Sequence, residues 1–364
     1  MKSFRPNFTI TNKTAAALIR IEAVRERMAH LPIHPTLLVS LRESAKLYST
    51  HYSTMIEGNR LTQEQVEKVV SKAQHFPGRE RDESEVRGYY AAINYMEAMV
   101  ARGSAVTELQ IQTLHALVMG GGAQKKRPTP YRDSQNVIRD SVTRRIVYLP
   151  PEARDVPSLM KQLTVWLSKS DQMGVPCAIR AAIAHYQFAT IHPYIDGNGR
   201  TARLLTNTVL HLGGYDLKGL YSLEEYYAKN LAAYYQAIAI GPSHNYYMGR
   251  AEADISTWIE YFCLGMADSF GTVAKRTEEA AKSGVTDKHA QLRSMTAMQR
   301  KCLELFERSE TIASRDIQEF FNYKPRSATA ILSRWVNEGF LVVHDPGLRT
   351  RSYALAEHYR KLLD

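Results

Sequence analysis

The sequence predicts a mainly α-helical protein with one small β-hairpin and a C-terminal winged helix-turn-helix domain. Apolar residues recur at helical spacing along most of the 364-residue chain. Residues 120–151, which are rich in Gly and Pro at their ends, interrupt that pattern with two short runs that favour strands. Residues 291–364 contain three helical patterns followed by a strand pair, an order typical of a winged helix-turn-helix.

The helices before residue 283 follow from this periodicity and from signals at their ends. Gly58-Asn59 is a natural helix end, and Thr62 followed by Glu64 and Gln65 starts the next helix. Pro193 ends another helix at His192, because a residue before proline disfavours the α region. The predicted helices cover residues 12–30, 35–57, 62–74, 83–102, 107–119, 156–169, 176–191, 198–212, 224–240 and 253–282.

The strands and the C-terminal elements follow from shorter patterns. A hairpin is predicted from strands at 135–138 and 145–149 around the polar turn 139–141. The segment 282–288 has the composition of an interdomain linker. After it we expect helices at 298–308, 314–321 and 325–338, strands at 340–344 and 351–355, and a wing at 345–349.

Composition excludes several classes of protein. With 44% hydrophobic and 23% charged residues, the chain is neither collagen-like, nor a disulfide scaffold, nor wholly disordered. Its three cysteines lie far apart, which argues against a disulfide framework or a structural zinc site. No apolar run is long enough to cross a bilayer and the N-terminus lacks a signal-peptide core, so we expect no membrane span and a cytoplasmic location. The net charge of +10 suits nucleic acid, nucleotides or an acidic partner.

The run from His192 to Arg203 has the most informative chemistry: His-Pro-Tyr-Ile-Asp-Gly-Asn-Gly-Arg-Thr-Ala-Arg. Residues 196–199 predict a tight turn whose glycines tolerate positive φ and let a ligand approach the backbone. A helix begins directly after this turn. Its first N–H groups and the positive end of its dipole therefore form an anion site, most naturally for phosphates.

The side chains around this turn have matching chemistry. Arg200 and Arg203 can add charge-assisted contacts to two phosphate groups. Asp196 places a carboxylate beside those phosphates, where magnesium normally binds. His192 titrates near neutrality and can take a proton from an attacking hydroxyl. Each feature alone is usually structural, but their coincidence in one short run favours a catalytic phosphate site.

This run resembles the signature of the Fic family, His-Pro-Phe-x-Asp/Glu-Gly-Asn-Gly/Lys-Arg-x-x-Arg, with Tyr194 in place of the Phe. The resemblance extends over residues 40–250, and the hairpin matches the family's target-positioning flap. It implies a Fic-type helical core that transfers AMP from ATP to a Ser, Thr or Tyr hydroxyl of a protein. Magnesium, release of pyrophosphate, self-modification and a homodimer are further implications.

The same resemblance divides the chain and assigns residues. It implies an N-terminal helical region (1–85) with an inhibitory helix, a catalytic core (86–250) with a flap (131–151), a connecting helix and linker (251–290), and the winged helix-turn-helix (291–364). His192 would be the catalytic base, Asp196 the magnesium ligand, and Tyr235 an adenine-pocket residue, with core packing as the alternative for Tyr235. The implied ATP-binding set is Gly197, Asn198, Gly199, Arg200, Thr201, Ala202, Arg203, Tyr235 and Glu57, with Arg203 on the γ-phosphate.

Residues 53–58, Ser-Thr-Met-Ile-Glu-Gly, resemble the family's inhibitory motif, Ser/Thr-x-x-x-Glu-Gly/Asn. Ser53 and Glu57 are four residues apart, hence on one helical face. A glutamate near the negative end of a helix dipole is unfavourable, so we expect a cationic partner. The resemblance implies that Glu57 pairs with Arg203, replaces the γ-phosphate and leaves ATP in a non-productive pose. In some relatives this glutamate also supports removal of AMP from the target.

Two other functions stay open from the sequence. One is a winged-helix transcription regulator with a nucleotide-sensing Fic domain, although the intact His192 favours an enzyme. The other is a Fic enzyme that transfers UMP, phosphate or phosphocholine, although Gly199, where kinase-like relatives tend to have Lys, favours nucleotide transfer.

The partner of the C-terminal domain is equally open. With 12 basic and 9 acidic residues, residues 291–364 are only slightly basic, so DNA binding and protein docking are both retained. The basic residues that would meet DNA phosphates are Arg326, Arg334, Arg349 and Arg351.

Overall fold

The structure, a computed structural model, divides into two compact units. The first is Met1–Pro32 with Leu41–Glu279, and the second is Ile33–Ser40 with Ala280–Asp364. The residues that the structure describes are 4–33, 35–123, 127–139, 143–241, 244–283, 295–306, 309–321, 323–347 and 351–360.

The first unit is mainly α-helical, as predicted. A two-residue strand, β1 (Ile138–Arg139), pairs antiparallel with β2 (Ile146–Tyr148) and forms the hairpin of the flap. Residues 140–141 of the predicted hairpin turn lie outside the described residues. The helices are α1 (Asn12–His30), α2 (Pro35–Ile56), α3 (Gln63–Val70), α4 (Glu80–Ala101), α5 (Glu108–Val118), α6 (Val156–Ser170), α7 (Cys177–Ile191), α8 (Asn198–Leu212), α9 (Leu223–Lys229), α10 (Leu231–Ile238) and α11 (Ser256–Ser283).

Helices α7 and α8 form the centre of the first unit and are buried along almost their whole length. The alanines of α7 let its neighbours approach closely. Trp258 of α11, for example, donates its indole N–H to the carbonyl of Ala182 at 2.8 Å. Because α7 ends and α8 begins at the His192–Gly197 loop, that loop is held between two rigid elements.

The end of α2 follows its predicted signal. Gly58 adopts φ 93°, and the Asn59 N–H bonds back to the Thr54 carbonyl at 3.1 Å, which is the hydrogen bond that closes a helix ending in a left-handed residue. The helix ends at Ile56, one residue earlier than predicted, and Glu57 is therefore the first residue beyond it.

Three predicted elements differ from the structure. The helix predicted at 224–240 is two helices, because Asn230 leaves the helical region (φ −126°, ψ 44°) and its amide bonds the Tyr226 carbonyl. The helix predicted at 62–74 ends at Val70, because Lys72 adopts φ 55°. The first flap strand is Ile138–Arg139 instead of the predicted 135–138; the side chains of Gln135 and Asn136 bond to loop carbonyls, and the backbone of these two residues lies outside the strand.

From residue 295 onward, the described residues of the second unit form four helices and a three-stranded sheet. The elements are α12 (Ala297–Phe306), β3 (Ile312–Ala313), α13 (Ser314–Phe321), α14 (Pro325–Asn337), β4 (Leu341–Asp345), β5 (Ser352–Leu355) and α15 (Glu357–Arg360). The strand order in the sheet is β3-β5-β4. The first three helices and the β4–β5 hairpin match the predicted elements, whereas β3 and α15, with two and four residues, were not predicted because they are too short to show a periodic pattern. Trp335 and Phe340 belong to the hydrophobic core of this unit.

Some predictions fall on residues that are not described, namely Leu348 and Arg349 of the wing and residues 284–288 of the linker. The division of the chain into four parts stays a prediction. Within the described residues, no helix combines the length and apolar composition that a membrane span requires.

Candidate active site

His192 ends α7 in a left-handed backbone conformation. Its φ and ψ are 51° and 61°, and its N–H bonds the Phe188 carbonyl at 3.0 Å. The predicted helix end is confirmed, but the residue is left-handed instead of extended, as a residue before proline usually is. Non-glycine residues in this region are uncommon and persist where surrounding contacts impose them.

Arg132 supplies those contacts. It is only 5% exposed, its Nε donates to the His192 carbonyl at 2.9 Å, and its backbone N–H donates to the Pro193 carbonyl at 2.9 Å. The same guanidinium donates to the carbonyls of Ser134 and Pro151, at the two ends of the flap. Arg132 therefore fixes the flap to the histidine loop. No sequence motif around Arg132 indicates this role.

The contacts of the His192 ring determine its tautomer. Nδ1 lies 3.2 Å from the Ala189 carbonyl oxygen, and because a carbonyl only accepts, Nδ1 must carry the proton. Nε2 therefore keeps its lone pair. Burial lowers the pKa of His192 to about 4, so the ring is neutral at pH 7. This is the form that can remove a proton from a hydroxyl.

The loop after His192 forms the predicted turn-to-helix junction. Gly197 adopts φ 76° and precedes α8, whose first N–H groups have no partner within the helix. The Asn198 side chain is buried and is used within the loop, since it accepts the Tyr194 N–H at 3.0 Å and donates to the Tyr194 carbonyl at 2.8 Å. Asn198 thus shapes the anion site, whereas the backbone N–H groups face it.

Helix α5 packs against this junction through His115. His115 stacks on Tyr194 with ring centroids 3.6 Å apart, and its Nε2 donates to the Asp196 carbonyl at 2.9 Å. A Cβ at Gly197 would lie 2.8 Å from the Met119 Sδ atom, so a larger residue would be obstructed as well as strained. His115 lies outside both sequence motifs.

Arg200 lies behind the loop. Its guanidinium is buried, 3.4 Å from the Asp196 carboxylate and 3.8 Å from Glu85. Its charge therefore acts on Asp196 from the interior. Thr201 donates both its N–H and its hydroxyl to the Gly197 carbonyl, and Ala202 is fully buried. These two members of the predicted ATP-binding set present no polar side-chain group to the site.

Asp196 is the residue that could hold a metal ion. Its side chain is 59% exposed, and its Oδ1 accepts the Gly197 N–H at 2.6 Å. Among the described residues there is no group of three or more His, Cys, Asp or Glu side chains that could hold a metal. Magnesium commonly takes one or two carboxylates and completes its shell with substrate phosphates and water. A single exposed carboxylate beside an anion site fits that requirement.

Ser53, Glu57 and Arg203 lie together, as predicted. Arg203 donates from Nη2 to Glu57 Oε1 at 2.7 Å and to the Ser53 carbonyl at 2.9 Å, and from Nε to Ser53 Oγ at 2.8 Å. Burial, the largest single effect, would lower the pKa of Arg203, but the Glu57 carboxylate together with Tyr234 and Tyr89 outweighs it and the pKa is raised. The guanidinium is therefore charged, and its hydrogen bonds are taken up by α2 and Glu57.

Gly199 leaves the space that Glu57 occupies. A Cβ at this position would lie 2.3 Å from Glu57 Oε1 and 3.3 Å from Arg203 Nη1. A side chain at position 199 would therefore force the Glu57 carboxylate out of its observed position beside Arg203.

The two adjacent tyrosines of α10 have different environments. Tyr234 is buried, and its hydroxyl lies 2.9 Å from Nε2 of His185, so it belongs to the core. Tyr235 is 48% exposed, with its hydroxyl 3.5 Å from the Ile56 carbonyl beside Glu57. Of the pair, Tyr235 is the more exposed, and its place in an adenine pocket stays a prediction.

Comparison with known proteins adds an independent observation. Residues 105–210 match the family model described as Fic/DOC family. A protein named protein adenylyltransferase Fic from Drosophila ananassae is 32% identical over 200 residues, covering 54% of this chain and 39% of that protein. The protein of the same name from Nematostella vectensis is 28% identical, covering 54% and 45%. The chain thus spans about two fifths of the length of the curated relatives that it matches.

Solved structures show the same fold. A Fic family protein from Desulfovibrio desulfuricans is 24% identical with a TM-score of 0.62, covering 97% of this chain and 99% of that one. A Fic domain containing signaling protein from Bacteroides thetaiotaomicron is 21% identical with a TM-score of 0.61, covering 72% and 98%. The fold and the residues of the His192–Arg203 run agree with the matched family model, and the chain contains a Fic/DOC family domain at residues 105–210.

Proposed function

We propose that this protein transfers AMP from ATP to a hydroxyl side chain of a protein, and that Glu57 inhibits the reaction. The observation that carries the proposal is the neutral His192 ring, with its free Nε2 lone pair, beside the phosphate-binding start of α8. Relatives named protein adenylyltransferase support the reaction class.

In the proposed reaction His192 is the base. Nε2 removes the proton of the target hydroxyl, the hydroxyl oxygen bonds to the α-phosphorus of ATP, and the bond between that phosphorus and the bridging oxygen breaks. Pyrophosphate leaves with the bonding electrons. The N–H groups at the start of α8 and the Arg203 guanidinium neutralise phosphate charge, which is the main source of catalysis in phosphoryl-type transfer. Asp196 would hold a magnesium ion, which supplies further charge neutralisation when bound.

The inhibitory part of the proposal rests on competition for Arg203. The Glu57 carboxylate occupies the guanidinium that a γ-phosphate would need. As long as that pair persists, ATP lacks its γ-phosphate contact and its α-phosphorus is misplaced for attack. Gly199 supports this reading, since the absence of a side chain at this position leaves room for the Glu57 carboxylate.

The test compares three forms of the chain with ATP, magnesium and cell lysate. These are the wild type, Glu57→Gly, and the double variant Glu57→Gly/His192→Ala. We expect AMP adducts on protein hydroxyls with Glu57→Gly, few with the wild type, and none above background with the double variant, all identified by mass spectrometry. A phosphate or UMP adduct, or equal labelling by the double variant, would contradict the proposal.

A further inference from the structure

Glu224, the second residue of α9, is a buried carboxylate outside both sequence motifs. It is 1% exposed, and no cationic side chain among the described residues lies within ion-pair distance of it. Burying a carboxylate is costly unless hydrogen bonds satisfy it. Four donors do so, from Ser49, Ser222, Tyr89 and Asn207, at distances of 2.8 to 3.0 Å. They match the four lone-pair sites of a carboxylate.

These donors connect Glu224 to the inhibitory helix. Ser49 lies on α2 one turn before Ser53, and its hydroxyl donates to Glu224 Oε2 at 3.0 Å. Tyr89 of α4 donates to Glu224 Oε1 at 3.0 Å, and the Ser53 side chain is one of the groups that act on the pKa of this phenol. The turn of α2 before Ser53 is therefore tied directly to a buried acceptor.

Two of the observed hydrogen bonds lie on either side of Ser53 and Tyr89. Arg203 can only donate, so its Nε donates to Ser53 Oγ at 2.8 Å and Ser53 presents a lone pair to it. Tyr89 donates to the Glu224 carboxylate at 3.0 Å. Ser53 is thus bonded to Arg203, and Glu224 is bonded to both Tyr89 and the preceding turn of α2.

We infer that Tyr89 and Glu224 are positioning residues that hold Ser53 and α2 where Glu57 can reach Arg203. The inference rests on the proposed function and adds residues that neither motif contains. Neither residue touches the reacting groups. Each acts through Ser49 or Ser53 on the strength of the Glu57–Arg203 pair.

Removing one link should weaken inhibition without removing the base. A typical intramolecular hydrogen bond shifts an equilibrium by about 2- to 12-fold. We therefore expect Ser49→Ala and Tyr89→Phe each to raise self-labelling from α-labelled ATP by about 2- to 12-fold over the wild type. In a Glu57→Gly background, where there is no inhibitory carboxylate to position, neither change should have an effect. Tyr95→Phe, on the same helix but outside this network, is the control and should match the wild type.

Several outcomes would overturn the inference. If these residues have a purely structural role, their substitution will lower the self-labelling rate in both the wild-type and the Glu57→Gly background. If they have no positioning role, both single variants will keep the wild-type rate while Glu57→Gly remains active. If Glu57→Gly itself shows no transfer, the proposed function fails, and ATP affinity by calorimetry decides the inference separately. Tighter ATP binding by Ser49→Ala and Tyr89→Phe supports it, and unchanged binding by both refutes it.

Discussion

Replacing Glu57 with glycine removes the carboxylate that lies 2.7 Å from the Arg203 guanidinium. The backbone should tolerate the change, because Glu57 is already outside α2 and glycine is common just after a helix end. Arg203 keeps both of its contacts with Ser53. The perturbation is thus confined to the group that competes with the γ-phosphate.

The geometry sets the size of the effect. A hydrogen bond that involves a charged group contributes about 1.5–3 kcal/mol. Because the Glu57 side chain is 31% exposed, solvent screening favours the lower part of that range, about 1.5–2 kcal/mol. At about 1.4 kcal/mol per factor of ten, Glu57→Gly should raise the rate of AMP transfer by about 10- to 30-fold. Glu57→Gln keeps a weaker neutral contact and should give a smaller increase.

The assay is the initial rate of self-labelling with α-labelled ATP and magnesium. Glu64→Gln is the matched control for Glu57→Gln, since Glu64 is an exposed carboxylate that pairs with Lys68 at 2.7 Å; it should behave as the wild type. An unchanged rate in Glu57→Gly, with ATP still bound, would refute the reasoning that the Glu57–Arg203 pair limits transfer.

Three further predictions follow from the same contacts. Gly199→Ala should break the Glu57–Arg203 pair, because its Cβ would lie 2.3 Å from the carboxylate; transfer by this variant should then be insensitive to Glu57→Gly, and a further large increase would contradict this. Since the pKa of His192 is lowered to about 4, the base is deprotonated well below neutrality; the transfer rate of Glu57→Gly should stay level from about pH 8 to 5 and fall only towards 4, whereas a fall centred near 6.5 would indicate an exposed ring. Arg132→Lys should lower the free energy of unfolding in urea by about 1–3 kcal/mol, because lysine cannot replace a guanidinium that donates to several buried carbonyls; an unchanged midpoint would contradict that role.

The parts of the site that could be predicted from the sequence are encoded over short distances. The turn at 196–199, the helix that follows it and the helix end at Gly58 each depend on a few adjacent residues. The Glu57–Arg203 contact spans 146 residues, but two motifs of a known family indicated it. The positions of the two residues in these motifs therefore predicted a long-range contact that no short-range pattern shows.

The missed residues act through long-range contacts that leave no local pattern. Arg132 donates to the carbonyl of His192, which lies 60 residues later in the chain, and Ser49 donates to Glu224, which lies 175 residues later. Neither contact changes the periodicity of its own helix or loop. The break at Asn230 was missed for a related reason, since a single polar residue without Gly or Pro interrupts α9 and α10 while the apolar pattern continues.

The central claim is that the start of α8 binds the triphosphate while His192 only removes a proton. It is tested most directly by measuring ATP affinity and transfer rate on one pair of proteins, Glu57→Gly and Glu57→Gly/His192→Ala. A general base contributes about 10²- to 10⁴-fold, so the second protein should lose that much rate while its Kd for ATP changes less than about threefold. Loss of ATP binding together with the rate, or a rate that survives without the imidazole, would contradict the account.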